Sequence, residues 1–295
     1  MHPAFTDGSF DPEGYALLTV FVYGFNNDPG DEWDRWSKKT WPGMKRLITP
    51  HSSGGIAAKH GLILFSWPGD SANLADAFGP ALYPAKIRPA IESGVELAKY
   101  LKKIAADGNE GLHVQFVGHS LGCRVVLSAV QQLAADPQEV PVVRVLLMAA
   151  AVPVGNCIGP GPWPTKVGDL FSTTQSYETA ANSDVILYSG NDEILRRKFL
   201  YGERAAEQWF GVESFGSHDA VGRTGGPGPD RWTGTIDSCG LRHSEYLTDP
   251  TALMHIGDLF GTLVSRPLPG RPEDERLLDR QQLGSRQLAF ATRLG

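Results

Sequence analysis

The chain has 295 residues, 41% of them hydrophobic and 20% charged, so it can bury a real core and is not wholesale disordered. Its 33 acidic and 27 basic residues give a formal net charge of −6, which argues against a nucleic-acid partner whose phosphates would call for a basic face. The three cysteines, Cys123, Cys157 and Cys239, cannot all pair and predict a reduced compartment, the cytoplasm.

In chain order, the opening MHPAFTDGSFDPEG has neither a basic nor an apolar stretch, so no signal peptide is expected. Residues 16–25 (ALLTVFVYGF), rich in β-branched and aromatic side chains, predict the first strand. Residues 31–48 follow a turn at Asp28-Pro29-Gly30 and predict a helix. A second strand is expected over residues 62–67 (LILFSW). Residues 84–106 then repeat apolar side chains at Ile87, Ile91, Val95, Ala98 and Leu101, the spacing of a helix. A third strand over 112–118 (LHVQFVG) runs into a helix over 121–135. Strands at 142–151 and 185–189, a weaker one at 232–237 and a last helix over 252–264 complete the series. No apolar run approaches the ~18 residues of a membrane span.

Near-continuous apolar strands imply burial on both faces, and their alternation with helices implies right-handed crossovers. The expected fold is therefore α/β, a doubly wound and mostly parallel sheet of about six strands flanked by helices. One domain is expected over residues 10–266. Within it, 153–182 is rich in Pro, Gly and aromatics and predicts a cap segment at the strand ends, while 267–295 predicts a polar tail.

The sharpest motif is Gly118-His119-Ser120-Leu121-Gly122. A GxSxG pattern alone is weak, but here a buried-looking strand enters it and an amphipathic helix leaves it. So sharp a turn holds a serine hydroxyl above the sheet, with glycines where a Cβ would collide and a helix N-terminus beneath. A merely capping serine is the plainer alternative. Ser120 is the candidate nucleophile.

A nucleophilic serine needs a base, and the base needs an orienter, arising later in the chain at strand ends in the order Ser, acid, His. The 142–151 strand ends without a carboxylate, whereas the next ends Tyr188-Ser189-Gly190-Asn191-Asp192-Glu193. Asp192 is favoured and Glu193 is the fallback; either could simply start a helix. Among the later histidines, His218 lies before the last strand and His255 within the apolar period of the last helix. His243 lies between them and is the candidate base. His119 is expected to shape the turn rather than to react. The oxyanion donors should be the Leu121 amide and one from the turn after the first strand, at Phe25. Cys123 reads as a small packed residue, and no metal-ligand spacing or cofactor motif appears. Trp67, Phe78, Tyr83 and Trp163 are expected in loops bordering the site, as an apolar pocket or as core plugs.

VFVYGFNN, FSWPGD, GHSLG, YSGNDEIL and RHSEY together resemble an uncharacterised bacterial α/β-hydrolase family over about residues 16–260. The resemblance implies an α/β-hydrolase fold and a triad on Ser120, Asp192 and His243. Tyr23 stands where that family usually has a histidine, and by inheritance it should support the oxyanion loop. The expected function is a serine hydrolase of small-molecule carboxylic esters, with no cofactor, no metal, no nucleic acid and no integral membrane segment. The alternative is a non-catalytic α/β-hydrolase-like binding module.

Overall fold

Each of the apolar runs forms a strand, and every pairing between them is parallel. In the computed structural model these are β1 (Leu17–Val22), β2 (His60–Phe65), β3 (His113–His119), β4 (Val142–Met148), β5 (Val185–Tyr188) and β6 (Gly234–Asp237). They form one sheet in the order β2-β1-β3-β4-β5-β6. The structure describes residues 17–25, 60–69, 75–107, 112–134, 140–158, 185–212, 217–225, 234–237, 240–246 and 248–249. The expected helices at 31–48 and 252–264, the 267–295 tail and all of the 153–182 segment beyond residue 158 lie outside these residues.

β1 and β3 are buried along their whole length. That is why their sequences are apolar without alternation: neither face of a central parallel strand meets water. One face is covered by α1 (Ala75–Ala106) and α2 (Gly122–Ala134), which pack on each other. At their crossing the Ser128 hydroxyl donates to the Ile91 carbonyl at 2.7 Å. Pro84 reads as a helix start, yet α1 runs through it from Ala75. A proline loses its own N–H and crowds the carbonyl four residues back, a local cost of about 3 kcal/mol that packing along the rest of the helix can outweigh.

The stretch after β5 has no expected element but is helical. A π-helical turn, Ile194–Lys198, leads into α4, Phe199–Phe210. Phe199, Gly202, Glu203 and Ala206 are its buried positions, a helical stripe interrupted by a charge. Two short helices, α3 (Val154–Ile158) and α5 (Val221–Thr224), lie beyond the ends of β4 and β5. There Val221 N–H donates to Val152 O and Gly222 N–H to Ala150 O, at 2.8 and 2.9 Å.

The chain passes from β1 to β2 on one side, then crosses to β3 on the other side of β1. Successive crossovers thus leave β1 and β3 in opposite directions, which opens a crevice at their carboxyl ends. The turn after β1 and the GHSLG turn both lie at that switch point.

Candidate active site

Ser120 directly follows β3 with φ 53, in the left-handed region that non-glycine residues rarely adopt. Its neighbours hold it there. Ser120 N–H donates to Met148 O at 3.0 Å, and Ala151 N–H donates to Ser120 O at 3.1 Å. The end of β4 and the residues just past it therefore clasp the turn from both sides. Ala149, within this clasp, is itself left-handed at φ 45.

Two glycines let the β1 turn close on the serine. A Cβ on Gly122 would lie 2.3 Å from Tyr23 O, and one on Gly24 would lie 2.7 Å from Ser120 Cβ. Real Cβ atoms do not come so close, so both positions require glycine. This brings residue 25 beside the GHSLG turn. Among the described residues neither the Phe25 nor the Leu121 N–H has a hydrogen-bond partner.

The three residues singled out from the sequence meet in space. His243 Nε2 lies 2.8 Å from Ser120 Oγ, and His243 Nδ1 lies 2.7 Å from Asp192 Oδ2. Ser120 is 8% exposed and Asp192 0%, so the serine reaches the surface while the carboxylate is wholly enclosed. A carboxylate so buried needs partners for both oxygens. Asp192 Oδ1 accepts the Leu195 N–H at 3.0 Å, which starts the π-helical turn. One Asp192 oxygen thus bonds the start of the helical turn and the other faces the histidine. Glu193 is instead exposed and pairs with Arg196 and Arg197.

His243 is carried on a tight turn in which Glu245 N–H donates to Arg242 O, and Arg242 N–H to Glu245 Oε2 at 2.7 Å. His119 does more than shape the elbow. Its Nε2–H donates to the His243 carbonyl at 2.8 Å, and its ring sits 5.3 Å from the His243 ring. It links the end of β3 to the loop that carries His243. His218 lies elsewhere, 2.8 Å from Glu207 on α4, and His255 is outside the described residues. Cys123 is fully buried, and burial pushes its thiol far above the ordinary cysteine range, so it is inert.

Several expectations are corrected here. Tyr83 lies within α1, not in a loop, and its hydroxyl donates to Glu203 Oε1 at 2.8 Å. Of the two readings of Trp67 the core plug fits: it is 3% exposed, with its indole N–H donating to Tyr23 O at 2.9 Å. The Phe78 side chain and Trp163 lie outside the described residues. The Tyr23 hydroxyl meets the Ser66 hydroxyl at 2.8 Å, so it ties the end of β1 to the end of β2. Sequence reading placed no partner there because Ser66 is 43 residues away. It also missed Arg124 and Glu203, although an arginine inside so apolar a helix as GCRVVLSAV signals a buried acid partner.

Residues 15–155 match a family described as "alpha/beta hydrolase of unknown function (DUF900)". The fold is that of an α/β hydrolase. The match takes in β1 to β4 and with them the GHSLG turn. No curated protein matches the sequence. Among solved structures, this hydrolase-fold chain is similar to an uncharacterised protein from Bacillus cereus ATCC 10987, at 12% identity and a TM-score of 0.43, covering 89% of this chain and 64% of that one. It thus spans under two thirds of the Bacillus protein's length. It is also similar to the peroxisomal α/β-hydrolase Lpx1 of Saccharomyces cerevisiae, at 8% identity and TM-score 0.39, covering 95% and 87% of the two chains. A third similarity is to a structure from a study of two esterases of Rhizomucor miehei, at 11% identity and TM-score 0.37, covering 89% and 83%. At such scores none of these carries an argument about this chain. Among the described residues no helix is long and apolar enough to cross a membrane, and no cluster of His, Cys, Asp or Glu could hold a metal.

Tyr23→Phe should cost about 1 kcal/mol, the worth of one hydrogen bond, and lower Tm by roughly 2–4 °C in a thermal melt. Gly122→Ala should lower Tm by more than Tyr23→Phe does, because its Cβ would strike backbone that cannot swing aside. An unchanged Tm in Gly122→Ala would contradict the close approach of β1 to the elbow.

Proposed function

We propose that this protein is a serine hydrolase that cleaves small-molecule carboxylic esters through an acyl-enzyme on Ser120. The observation that carries the reading is the linear run Asp192 Oδ2, His243 Nδ1, His243 Nε2 and Ser120 Oγ, at 2.7 and 2.8 Å, on a serine held at φ 53. With Nδ1–H donating to the ionised Asp192, the free lone pair of the imidazole lies on Nε2, facing the serine hydroxyl.

The chemistry follows from that tautomer. His243 Nε2 takes the Ser120 proton as Oγ attacks the ester carbonyl, and Asp192 stabilises the imidazolium that results. The carbonyl oxygen becomes an oxyanion between the Phe25 and Leu121 amides, where the α2 N-terminus adds favourable potential. The imidazolium then protonates the departing alkoxide, and the tetrahedral centre collapses to an acyl-serine plus alcohol. Water, deprotonated by the same imidazole, attacks the acyl-serine and releases the carboxylic acid and free Ser120. No cofactor enters this cycle. His119 serves it indirectly, by holding the backbone of His243.

A fluorophosphonate probe should label the protein once, and mass mapping should place the adduct on Ser120. Ser120→Ala should remove hydrolysis of a p-nitrophenyl acyl ester while leaving the circular dichroism spectrum unchanged. Retention of more than about a hundredth of the wild-type rate would exclude Ser120 as the nucleophile.

Asp192→Asn should lower kcat by roughly 10³ to 10⁴, because an amide no longer fixes the tautomer. Glu193→Gln should stay within about twofold of wild type, since it breaks only surface ion pairs. Steady-state kinetics on the two variants check this, and the reverse ranking would transfer the acid's role to Glu193.

A further inference from the structure

An arginine and a glutamate are buried together at a place the ester chemistry does not touch. Arg124 on α2 is 1% exposed and Glu203 on α4 is 0% exposed. Arg124 Nη2 donates to Glu203 Oε1, and the Tyr83 hydroxyl donates to the same oxygen at 2.8 Å. Glu203 Oε2 has no partner among the described residues. A buried pair that leaves one oxygen unmatched is a poor device for stability alone, since apolar side chains of similar volume commonly do as well or better.

A further bond of Arg124 gives the cluster a different sense. Its Nε–H donates to the Ala151 carbonyl at 2.9 Å, and the N–H of the same residue donates to the Ser120 carbonyl at 3.1 Å. The guanidinium is thus one residue removed from the backbone of the nucleophile. Both Ser120 and Ala149 are left-handed, and strained backbone persists only where surroundings over-determine it. The other bonds of this clasp that involve Ser120 and Ala151 are backbone to backbone. Arg124 supplies a side-chain bond to it, and its planar fork can hold Ala151 and Glu203 at once.

The cluster also touches the other side of the site. The Tyr83 ring meets the Phe25 ring edge-on, with centroids 6.2 Å apart and an interplanar angle of 85°. Glu203 comes from the helix that the Asp192 loop feeds, and Arg124 from the helix that the nucleophile turn feeds. A Cβ on Gly202 would lie 2.4 Å from the Tyr83 ring, so glycine there lets α4 come close enough for Glu203 to be reached. Burial favours loss of the Arg124 proton, but the charge of Glu203 and the nearby Tyr83 more than offset it and the guanidinium stays charged. Burial and then the Glu203 charge push the Tyr83 phenol well above its ordinary range, so it remains a donor.

We propose that Arg124, held by Glu203 and Tyr83, is a positioning residue for the nucleophile: it fixes the Ala151 peptide, and that peptide fixes Ser120 in its reactive backbone conformation. This rests on the reading of Ser120 as nucleophile. The test compares wild type with Arg124→Met/Glu203→Leu, which removes both charges, and with Arg124→Lys, which keeps the charge but loses the fork. Each is measured for Tm, for kcat and KM on p-nitrophenyl butyrate, and for the rate of fluorophosphonate labelling at Ser120.

The double variant should melt within a few degrees of wild type, yet lose at least tenfold in kcat with KM changed less than twofold. Its labelling rate should fall by a similar factor, because labelling reports the serine directly. Arg124→Lys should show the same split, and it carries the test if the double variant does not fold. A folded variant of either kind with wild-type kcat and labelling rate would overturn the positioning role while leaving Ser120 as nucleophile. A wild-type protein that takes no label at Ser120 would overturn both readings together.

Discussion

Ser120 occupies a backbone conformation that its side chain disfavours, and most of the sheet's carboxyl edge can be understood as what keeps it there. The end of β4 and the residues after it bind the serine peptide from both sides, at Met148 and Ala151. The turn after β1 packs so closely against the elbow that Gly24 and Gly122 have no room for a Cβ. Segment 220–222 in turn bonds to Ala150 and Val152, so the clasp around the serine is itself clamped. Local strain at one residue is thus spread over the ends of several strands. The parallel sheet makes this possible, because it brings all of those ends to the same edge.

Charge burial follows the same logic. Asp192 is wholly enclosed yet satisfied, with one oxygen on a backbone N–H and the other on the imidazole. Enclosure removes competing water from the carboxylate, so the histidine has one partner and one orientation. His119 then fixes the loop from the opposite side by holding the His243 carbonyl. Arg124 and Glu203 lie below this layer and join the helices that follow the serine and the acid. Polar groups are placed in this core where a direction has to be fixed, while apolar side chains fill the rest.

Much of this was legible in the chain. Each strand overlaps its apolar run with bounds that differ by at most three residues, because unalternating β-branched stretches have few other uses in so mixed a sequence. The GHSLG turn was legible because a strand pattern ran into it and a helix pattern ran out. The rule that acid and base follow at later strand ends left few positions for them. The α4 helix was not legible, since its buried stripe includes Gly202 and Glu203, residues that read as surface or turn. Tyr83 was placed in a site-bordering loop, whereas it lies in a helix; Trp67, past the end of β2, takes the core-plug alternative.

The sequence by itself determined the α/β class, the parallel sheet, the serine turn and the short list of partners, because these depend on local periodicity and chain order. Tertiary structure alone decided which partners meet and which polar groups are consumed elsewhere. Asp192 faces His243 while Glu193 serves two surface arginines, although the two are adjacent and chemically alike. Tyr23 finds Ser66 across 43 residues, and Arg124 finds Glu203 across 79. Such pairings are set by where helices and strand ends come to rest in three dimensions, and the spacing of residues along a chain does not encode that distance.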